Sequence, residues 1–297
     1  MCHRRAIALF WSFLLLSFTG CVDGEARDTR QTRQPIIGGQ PAGAWEYSAT
    51  GGLVLGGQIF CTGTLVGPRA VLTAAHCIDP EELDGQVPGF TLLRDEAEIT
   101  VEDLSGDVYD GQNVFMHPGY NPNAMDTSPG LVSDIGILLL RREVEGVAPE
   151  LLLTRNEASA ALSLGDELTI LGYGFTDTAL TRAGIKFKAT TPLVYIGPFE
   201  IQMSEPGDPQ PCYGDSGGPV FVTLASGERR IAGVISRGPG EEGGCDDGAI
   251  ATRADPFKEW VEGASETGSC SSAGHTGPPW SIVLALLLAF VRLRRRR

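Results

Sequence analysis

Short apolar runs separated by glycine, proline and aspartate are the feature of this sequence that most limits its possible folds. Glycine is 39 of the 297 residues, about twice its usual share of ~7%, and no Gly-X-Y repeat explains the excess. Many tight turns between short apolar segments are typical of an all-β chain. At about 100–200 residues per domain, the length allows one large domain or two ordinary ones.

The charge of the chain differs between its ends and its middle. The whole sequence has 23 Lys and Arg against 37 Asp and Glu, a formal charge of −14. Ten of the cations lie at the ends, namely Arg4, Arg5, Arg27, Arg30, Arg33, Arg292 and Arg294 to Arg297. Residues 36–269 therefore keep 13 cations and 34 acids, a charge of −21. Nucleic-acid binding needs clustered Lys and Arg, so this acidic middle argues against a nucleic-acid partner.

The first 20 residues match a secretory signal peptide. Met1 to Arg5 carries two arginines, and Ala6 to Phe18 is almost wholly apolar and is followed by small residues, which is the pattern of an export signal. The stretch ending in Cys21 resembles a bacterial lipoprotein signal, in which the cysteine becomes the lipidated first residue, although Phe18 replaces the usual Leu, Val or Ile. The alternative is ordinary signal cleavage nearby. Either reading predicts an exported protein in which residues 21–35 form a pro-segment.

The C-terminal end is a linker followed by a short apolar tail. Residues 263–279 are rich in Ser, Gly and Pro and hold one cysteine, Cys270. Residues 280–297 contain an apolar stretch that is too short to span a bilayer core, which needs about 20 residues, and they end in an arginine cluster that would stay on the cytoplasmic side. Together they resemble the C-terminal sorting tails (MYXO-CTERM type) of myxobacterial surface proteins, which implies processing near Cys270 by a sorting protease. The alternative is a simple weak membrane tail.

Four of the seven cysteines remain once the ends are set aside. Cys2, Cys21 and Cys270 lie in the signal peptide, at its cleavage region and in the linker; the other four are Cys61, Cys77, Cys212 and Cys245. Four cysteines allow three pairings, and their order does not choose among them. An oxidising compartment favours two disulfides. A zinc site is the alternative, but there is no Cys-x-x-Cys pair and the spacings do not fit one.

Three segments carry residues suited to nucleophilic catalysis, which needs a nucleophile, a base and a group to orient the base. His76 ends an apolar run of small and β-branched residues, where a histidine alone is more often structural. Asp134 directly precedes the apolar run Ile135 to Leu140, which predicts a buried strand, and a carboxylate there needs a hydrogen-bond partner; alone it could be a turn residue. Ser216 lies between glycines in Gly214 to Pro219, where a tight turn would lift its hydroxyl into solvent.

In this order, Thr-Ala-Ala-His-Cys, Asp-Ile-Gly-Ile-Leu-Leu and Gly-Asp-Ser-Gly-Gly-Pro resemble the trypsin/chymotrypsin family of serine proteases (peptidase S1). The resemblance covers residues 36–262. It implies an all-β fold of two packed six-stranded antiparallel β-barrels with the site in the cleft between them. It also implies a short C-terminal helix around Phe257 to Val261, and a structural role for His117 in the segment that approaches Asp134.

The resemblance also implies roles for single residues. Ser216 would be the nucleophile, His76 the general base and then acid, and Asp134 the carboxylate that orients His76. The backbone N–H groups of Gly214 and Ser216 would form the oxyanion hole. The family pairs its cysteines as Cys61–Cys77 and Cys212–Cys245, which uses all four.

Ile36-Ile37-Gly38-Gly39 resembles the new N-terminus of an activated family member. Cleavage before Ile36 would free an amine that is buried against Asp215, and a buried ammonium is tolerable only as part of such a pair. Pro35 stands where an activating trypsin would need Arg or Lys, so self-activation at that bond is not expected. Cleavage at Arg33 followed by trimming, or another protease, would be needed.

The specificity residues depart from those of a trypsin. Gln210, six residues before Ser216, would floor the primary pocket; a trypsin has aspartate there, so strict Arg or Lys specificity is not supported. Gly238 and Ala249 would form the pocket walls and leave room for sizeable side chains. In the strand that would pair with substrate, Ser236 and Arg237 stand where the family usually has Ser-Trp. Arg237 could favour an acidic residue upstream of the cleaved bond, or could simply face solvent.

We expect no cofactor. The alternative is a calcium site in the loop region after His76, because some family members bind calcium in such loops. The acidic residues there are Asp79, Glu81, Glu82, Asp84, Asp95, Glu96 and Glu98, and no EF-hand pattern is present. The expected partners are protein or peptide substrates, an activating protease and a sorting protease, and we expect a monomer at the cell surface or outside the cell. The rival functions are an inactive family member used for binding and a tethered adhesive domain; neither explains why all three triad residues are present.

Overall fold

The computed structural model of the chain describes residues 36–43, 45–92, 108–124, 129–174, 185–239, 245 and 247–266. These contain strands β1 Gln40–Pro41, β2 Thr50–Leu55, β3 Gln58–Leu65, β4 Ala70–Thr73, β5 Gly89–Thr91, β6 Val108–Tyr109, β7 Gly111–Met116, β8 Gly136–Leu140, β9 Glu167–Gly172, β10 Phe187–Ile196, β11 Glu200–Met203, β12 Pro219–Thr223, β13 Arg229–Arg237 and β14 Ala249–Arg253. The helices are α1 Arg155–Ala161 and α2 Lys258–Glu266, with short 3₁₀ helices at His76–Ile78, Pro122–Ala124 and Asp255–Phe257.

The first sheet closes into a barrel through one bent strand. Its antiparallel order is β6-β5-β2-β3-β4-β8-β7. Only Asp110 separates β6 from β7; β6 pairs with β5 and β7 pairs with β8, so the two act as one strand that turns a corner. Every residue of β8 is buried, which explains why its sequence, Gly-Ile-Leu-Leu-Leu, does not alternate with polar residues.

The second sheet closes directly, because β9 pairs with both β12 and β10. Its order is β1-β10-β11-β14-β13-β12-β9, in which β1 is a two-residue strand added at the edge of β10. Leu168, Ile170, Val220 and Ala251 lie in its apolar interior. The prediction of two six-stranded antiparallel barrels is confirmed, with one strand bent in the first barrel and one short strand added to the second.

The two helices have clear local causes. α1, which the sequence analysis did not anticipate, begins at a capping box: Thr154 Oγ1 accepts from the Glu157 N–H, and the Glu157 carboxylate accepts from the Thr154 N–H. α2 confirms the expected C-terminal helix. It continues to Glu266, past the boundary expected at residue 262, because Val261 and Ala264 form a buried face along it.

None of the helices among the described residues is long and apolar enough to cross a membrane. The signal peptide, the pro-segment and the tail beyond Glu266 lie outside the described residues. Cys21 and Cys270, expected at a lipidation site and a sorting site, lie outside them too.

Candidate active site

A buried carboxylate and a histidine meet where two paired strands of the first barrel end. β4 leads into the 3₁₀ helix that begins with His76, and Asp134 lies two residues before β8. The pairing of Thr73 with Gly136 brings these two ends together. His76 Nδ1 lies 2.7 Å from Asp134 Oδ2, and the His76 backbone N–H donates to Asp134 Oδ1 at 3.0 Å. Two hydrogen bonds to one carboxylate fix the orientation of the imidazole ring.

The environment of this pair sets its protonation state. Asp134 is fully buried and also accepts a 2.6 Å hydrogen bond from Ser236 Oγ. Burial alone would raise the pKa of Asp134, but the charge and hydrogen bonds of His76 and the Ser236 bond hold it below its usual value. Burial works to lower the pKa of His76, but the Asp134 carboxylate outweighs this and raises it. An ionised Asp134 keeps the ring proton on Nδ1, which leaves Nε2 of neutral His76 as a proton acceptor.

Ser216 lies in a tight turn just before β12. Gly214 (φ 90°) and Gly217 (φ 80°) both adopt left-handed backbone conformations, which glycine tolerates without strain. At Gly217 there is also no room for a side chain, because a Cβ would lie 2.1 Å from Thr73 Oγ1 and 2.3 Å from the Thr62 carbonyl. Gly217 therefore lets the serine turn of the second barrel pack directly on β3 and β4 of the first.

Ser216 and His76 approach each other at the Cys61–Cys77 disulfide. His76 Nε2 lies 3.6 Å from Cys77 Sγ, and the same sulfur lies 3.6 Å from the Ser216 carbonyl oxygen. The Thr62 N–H donates to that carbonyl at 2.8 Å. No hydrogen bond joins the side chains of Ser216 and His76 in the described part of the chain; catalytic hydrogen bonds are often long without substrate and tighten when it binds.

Two backbone N–H groups of the serine turn have no acceptor in the part of the chain that the structure describes. The N–H groups of Asp215, Gly217 and Gly218 donate to carbonyl oxygens at 3.0, 2.8 and 2.9 Å. Those of Gly214 and Ser216 have no acceptor among the described residues. Two N–H donors without a partner are what an oxyanion requires, and they belong to the two residues to which the family resemblance assigns this role.

Asp215, next to the serine, is buried and faces the start of the domain. Its Oδ2 accepts hydrogen bonds from the Ile36 nitrogen at 3.1 Å and the Cys212 N–H at 2.9 Å, and its Oδ1 accepts one from the Gly174 N–H at 2.9 Å. Burial nevertheless raises the pKa of Asp215 to about 6. In the uncut chain the Ile36 nitrogen is a neutral amide, so its contact with Asp215 is a hydrogen bond and not an ion pair.

Ile36 itself is in an unusual conformation. It is fully buried and has φ 49°, a left-handed value that is strained for a β-branched residue. The next residue, Ile37, forms an antiparallel bridge with Gln210: Ile37 N–H donates to the Gln210 carbonyl at 2.8 Å and the Gln210 N–H donates back at 3.1 Å. The expected activation segment is therefore hydrogen-bonded to the residue expected at the floor of the specificity pocket.

The side chain of Gln210 is nearly buried, and its orientation follows from one hydrogen bond. The Gly248 N–H lies 2.5 Å from Gln210 Oε1, and only the amide oxygen can accept from an N–H. The amide nitrogen is then the remaining polar atom of the side chain. Ala249, an expected wall residue, is buried in β14, and Gly238, the other, is half-buried just after β13.

Arg237 neither faces solvent nor keeps a free charge for substrate. Its guanidinium forms an ion pair with the fully buried carboxylate of Glu200, with Nη1 2.5 Å from Oε1 and Nη2 3.3 Å from Oε2. Neutralisation by Glu200 removes the physical basis for a preference for acidic substrate residues. The sequence analysis did not identify Glu200, because nothing in its local pattern sets it apart from other strand carboxylates.

The cysteines form the disulfides Cys61–Cys77 and Cys212–Cys245. Among the described residues, Cys61, His76 and Cys77 are the only group close enough to share a metal ion, but two of the three possible ligands are used up in a disulfide. The acidic residues at 79–84 form no such group; those at 95–98 lie outside the described residues.

His117, the other internal histidine, packs away from the reacting groups. Its ring lies edge-on to Phe257 and Trp260 at 4.7 and 5.1 Å between centroids, and its Nδ1 accepts the Gly119 N–H at 3.0 Å. Partial burial lowers its pKa. It therefore joins the first barrel to the C-terminal helix, which is the structural role expected from the sequence.

Comparison with known proteins agrees with this geometry. The family model described as Trypsin matches residues 36–261. The chain is 32% identical over 221 residues to the trypsin of Saccharopolyspora erythraea, covering 69% of this chain and 87% of that one. It is 28% identical over 233 residues to the CLIP domain-containing serine protease HP8 of Bombyx mori, covering 70% of this chain but only 62% of the relative. With chymotrypsin-like elastase family member 1 of Canis lupus familiaris, it shares 27% identity over 227 residues, covering 71% and 84%.

Proposed function

Because the chain belongs to the trypsin family and is therefore a serine endopeptidase, we propose that it cleaves peptide bonds through His76, Asp134 and Ser216. The observation that carries this assignment is the hydrogen-bonded Asp134–His76 pair of one barrel, which meets the Ser216 turn of the other at a single disulfide. The open N–H groups of Gly214 and Ser216 support it, because they can receive the negative charge that develops on the substrate carbonyl.

The reaction follows from these positions. Ser216 Oγ attacks the peptide carbonyl carbon while His76 Nε2 takes the hydroxyl proton, and the carbonyl electron pair moves onto the oxygen. Collapse of this intermediate breaks the C–N bond, and His76 gives its proton to the leaving amine. Water then attacks the acyl-serine in the same way, with His76 again taking and returning the proton, and the acid is released. Throughout, the ionised Asp134 stabilises the imidazolium form of His76.

A fluorophosphonate probe tests the assignment directly. We expect the probe to label the cut chain at Ser216 and to leave the Ser216→Ala variant unlabelled, because only an activated serine attacks the phosphorus. Peptide mapping of the labelled protein would identify the modified residue. Labelling of the Ser216→Ala variant, or no labelling of a correctly cut and folded chain, would contradict the proposal.

The protease is made as a zymogen in this proposal. Cleavage before Ile36 would turn its amide nitrogen, 3.1 Å from Asp215 Oδ2, into an ammonium ion. The same cut would remove the strained φ of Ile36, which exists only while residue 35 is attached. Because Ile37 is bridged to Gln210, ordering of the segment after the cut would also order the pocket floor. Since Pro35 precedes the bond, the activating cut would come from a separate protease or from cleavage at Arg33 followed by trimming.

Substrate preference in this proposal depends on Gln210. Its oxygen is used by the Gly248 N–H, so the amide nitrogen is the group left to donate to a bound side chain. A neutral donor at the pocket floor favours uncharged side chains that end in an acceptor, such as glutamine or asparagine, over Arg and Lys. Glu200 neutralises Arg237, so Arg237 adds no net charge that would change this preference.

Gln210→Asp is expected to convert this preference into a tryptic one. A carboxylate at the floor would form a charge-assisted hydrogen bond with an Arg or Lys side chain of the substrate. This should raise kcat/KM for Arg and Lys substrates about 10- to 100-fold relative to glutamine substrates. Cleavage of a peptide library by both proteins would measure the ratio. Gln210→Asn, which keeps a neutral amide, is the matched control, and an unchanged library profile for Gln210→Asp would show that this position does not select substrates.

Export and surface attachment complete the proposal. The signal peptide expected over residues 1–20 supports export. If Cys21 is lipidated, activation before Ile36 separates the catalytic domain from that lipid, and the tail holding Cys270 is then the remaining anchor. Mass spectrometry of the active surface form tests this, since a retained lipid at Cys21 would refute it.

A further inference from the structure

We propose that the buried Glu200–Arg237 ion pair is a positioning element of the active site, which holds Asp134 and the substrate-pairing end of β13 in their working arrangement. This inference rests on the function proposed above. It concerns two residues that take no part in the bond-making steps but are connected to Asp134 through Ser236 and through the backbone at Gly130.

The ion pair is built as a fixed unit. Glu200 begins β11 and is fully buried, and Arg237 ends β13 with only 11% of its side chain exposed. The two terminal guanidinium nitrogens, Nη1 and Nη2, each contact one carboxylate oxygen, a two-point contact that fixes orientation as well as distance. Neither charge could remain buried without the other, since an uncompensated buried charge is strongly destabilising.

One connection to the catalytic carboxylate runs through Ser236. Arg237 Nη1 lies 3.4 Å from Ser236 Oγ, and Ser236 Oγ donates to Asp134 Oδ2 at 2.6 Å. Neighbouring residues of a regular strand point to opposite faces, but the register of β13 against β14 shifts between Ile235 and Arg237. This bulge explains how the side chains of Ser236 and Arg237 reach the same side, as bulges near active sites often do.

A second connection runs through the segment before Asp134. Glu200 Oε2 accepts a 2.6 Å hydrogen bond from the Gly130 N–H, and the Phe199 N–H donates to the Gly130 carbonyl at 3.4 Å. The same carboxylate thus restrains Arg237 at the substrate strand and the backbone four residues ahead of Asp134. The resemblance to serine proteases leads one to expect tryptophan at 237, which could pack there but could not form this connection.

The pair also contributes charge at the triad. Among the charges near His76, those of Asp134 and Glu82 raise its pKa and that of Arg237 lowers it. Tyr120 also faces Asp134. Removing the Arg237 cation should therefore move the acid midpoint of kcat/KM upward, whereas removing only the Glu200 anion should move it downward. A pair that served packing alone would not produce opposite shifts.

The experiment compares Arg237→Met, Glu200→Gln and the double variant with the wild-type protein, all in the cut form. We expect opposite shifts of the acid midpoint in the two single variants. In the double variant, which removes both charges of the pair, we expect a midpoint near that of wild type but a loss of about 10²-fold in kcat/KM on an extended peptide. A single-residue ester, which does not pair with β13, should lose less, because only the displacement of Asp134 acts on it. Arg237→Lys should keep the midpoint and recover part of the lost rate.

The Arg253–Asp255 pair offers a matched control. It is also partly buried in the second barrel, with Arg253 Nη2 2.9 Å from Asp255 Oδ2. Arg253→Met with Asp255→Asn should lower thermal stability without moving the acid midpoint. Unchanged midpoints in both single variants, shifts in the same direction, or a folded double variant with wild-type rates on both substrates would overturn the inference. An inactive wild-type protein would instead count against the proposed function.

Discussion

Asp134→Asn is expected to lower kcat on a peptide substrate by roughly 10⁴-fold, a magnitude taken from the same change in other serine proteases. Asparagine keeps the shape of the carboxylate but loses the charge that fixes the ring proton on Nδ1 of His76, 2.7 Å away. The imidazole then carries its proton on Nε2 and cannot accept one from Ser216. KM should change little, because the substitution does not touch the substrate. Steady-state kinetics at pH 8, with thermal unfolding to verify the fold, would measure this.

The pH dependence gives this prediction its control. Since the pKa of His76 is raised, kcat/KM of the wild-type protein should be fully developed above that pKa and fall as pH drops through it, with a midpoint above the usual value of about 6.5. Without the Asp134 charge, the midpoint at which the residual kcat/KM falls should move to a lower pH. Ser133→Ala, a change at the adjacent buried residue, should keep both rate and midpoint. A rate within tenfold of wild type for Asp134→Asn would contradict the role of Asp134.

The residues of this site were easier to predict from the sequence than the contacts between them. His76, Asp134 and Ser216 each stand in a motif whose local pattern predicts a strand end or a turn, and the resemblance of these motifs, in this order, to the trypsin/chymotrypsin family singled them out. Glu200 carries no local signal, because its importance depends on meeting Arg237 across the sheet, 37 positions along the chain. The bulge that turns Ser236 and Arg237 to one side likewise depends on pairing with β14, which no single segment specifies.

The same distinction holds for the fold. Short apolar runs and abundant glycine predict an all-β chain, and the resemblance supplied the two barrels. The bend at Asp110 that closes the first barrel depends on two different partner strands and is not visible locally. α1, in contrast, could have been predicted, because Thr154 and Glu157 have the spacing of a capping box ahead of a run of alanines.

Cleavage before Ile36 is expected to raise the rate of peptide hydrolysis about 10²- to 10⁴-fold. This range corresponds to the roughly 3–5 kcal/mol lost when one partner of a buried charge pair is missing. In the uncut chain the donors to Asp215 among the described residues are neutral N–H groups, whereas the cut chain would supply an ammonium ion. Replacing residues 31–35 with an enteropeptidase sequence, Asp-Asp-Asp-Asp-Lys, would allow controlled cutting and rate measurement before and after it. Asp215→Asn should remove most of the gain.

The pH dependence of the stability of the uncut chain should show that Asp215 lacks a charged partner before the cut. The pKa of Asp215 is raised to about 6 against about 4 in an unfolded chain, so the folded uncut state binds an extra proton between these values. Its free energy of unfolding should therefore fall as pH rises from about 4 to 6, by roughly 3 kcal/mol, and stay low above pH 6. In the cut chain the ammonium partner should abolish that fall. Denaturant unfolding of the Ser216→Ala variant, which cannot digest itself, would compare the two forms across this range. Parallel curves for the cut and uncut chains would mean that the Ile36 amine does not pair with Asp215.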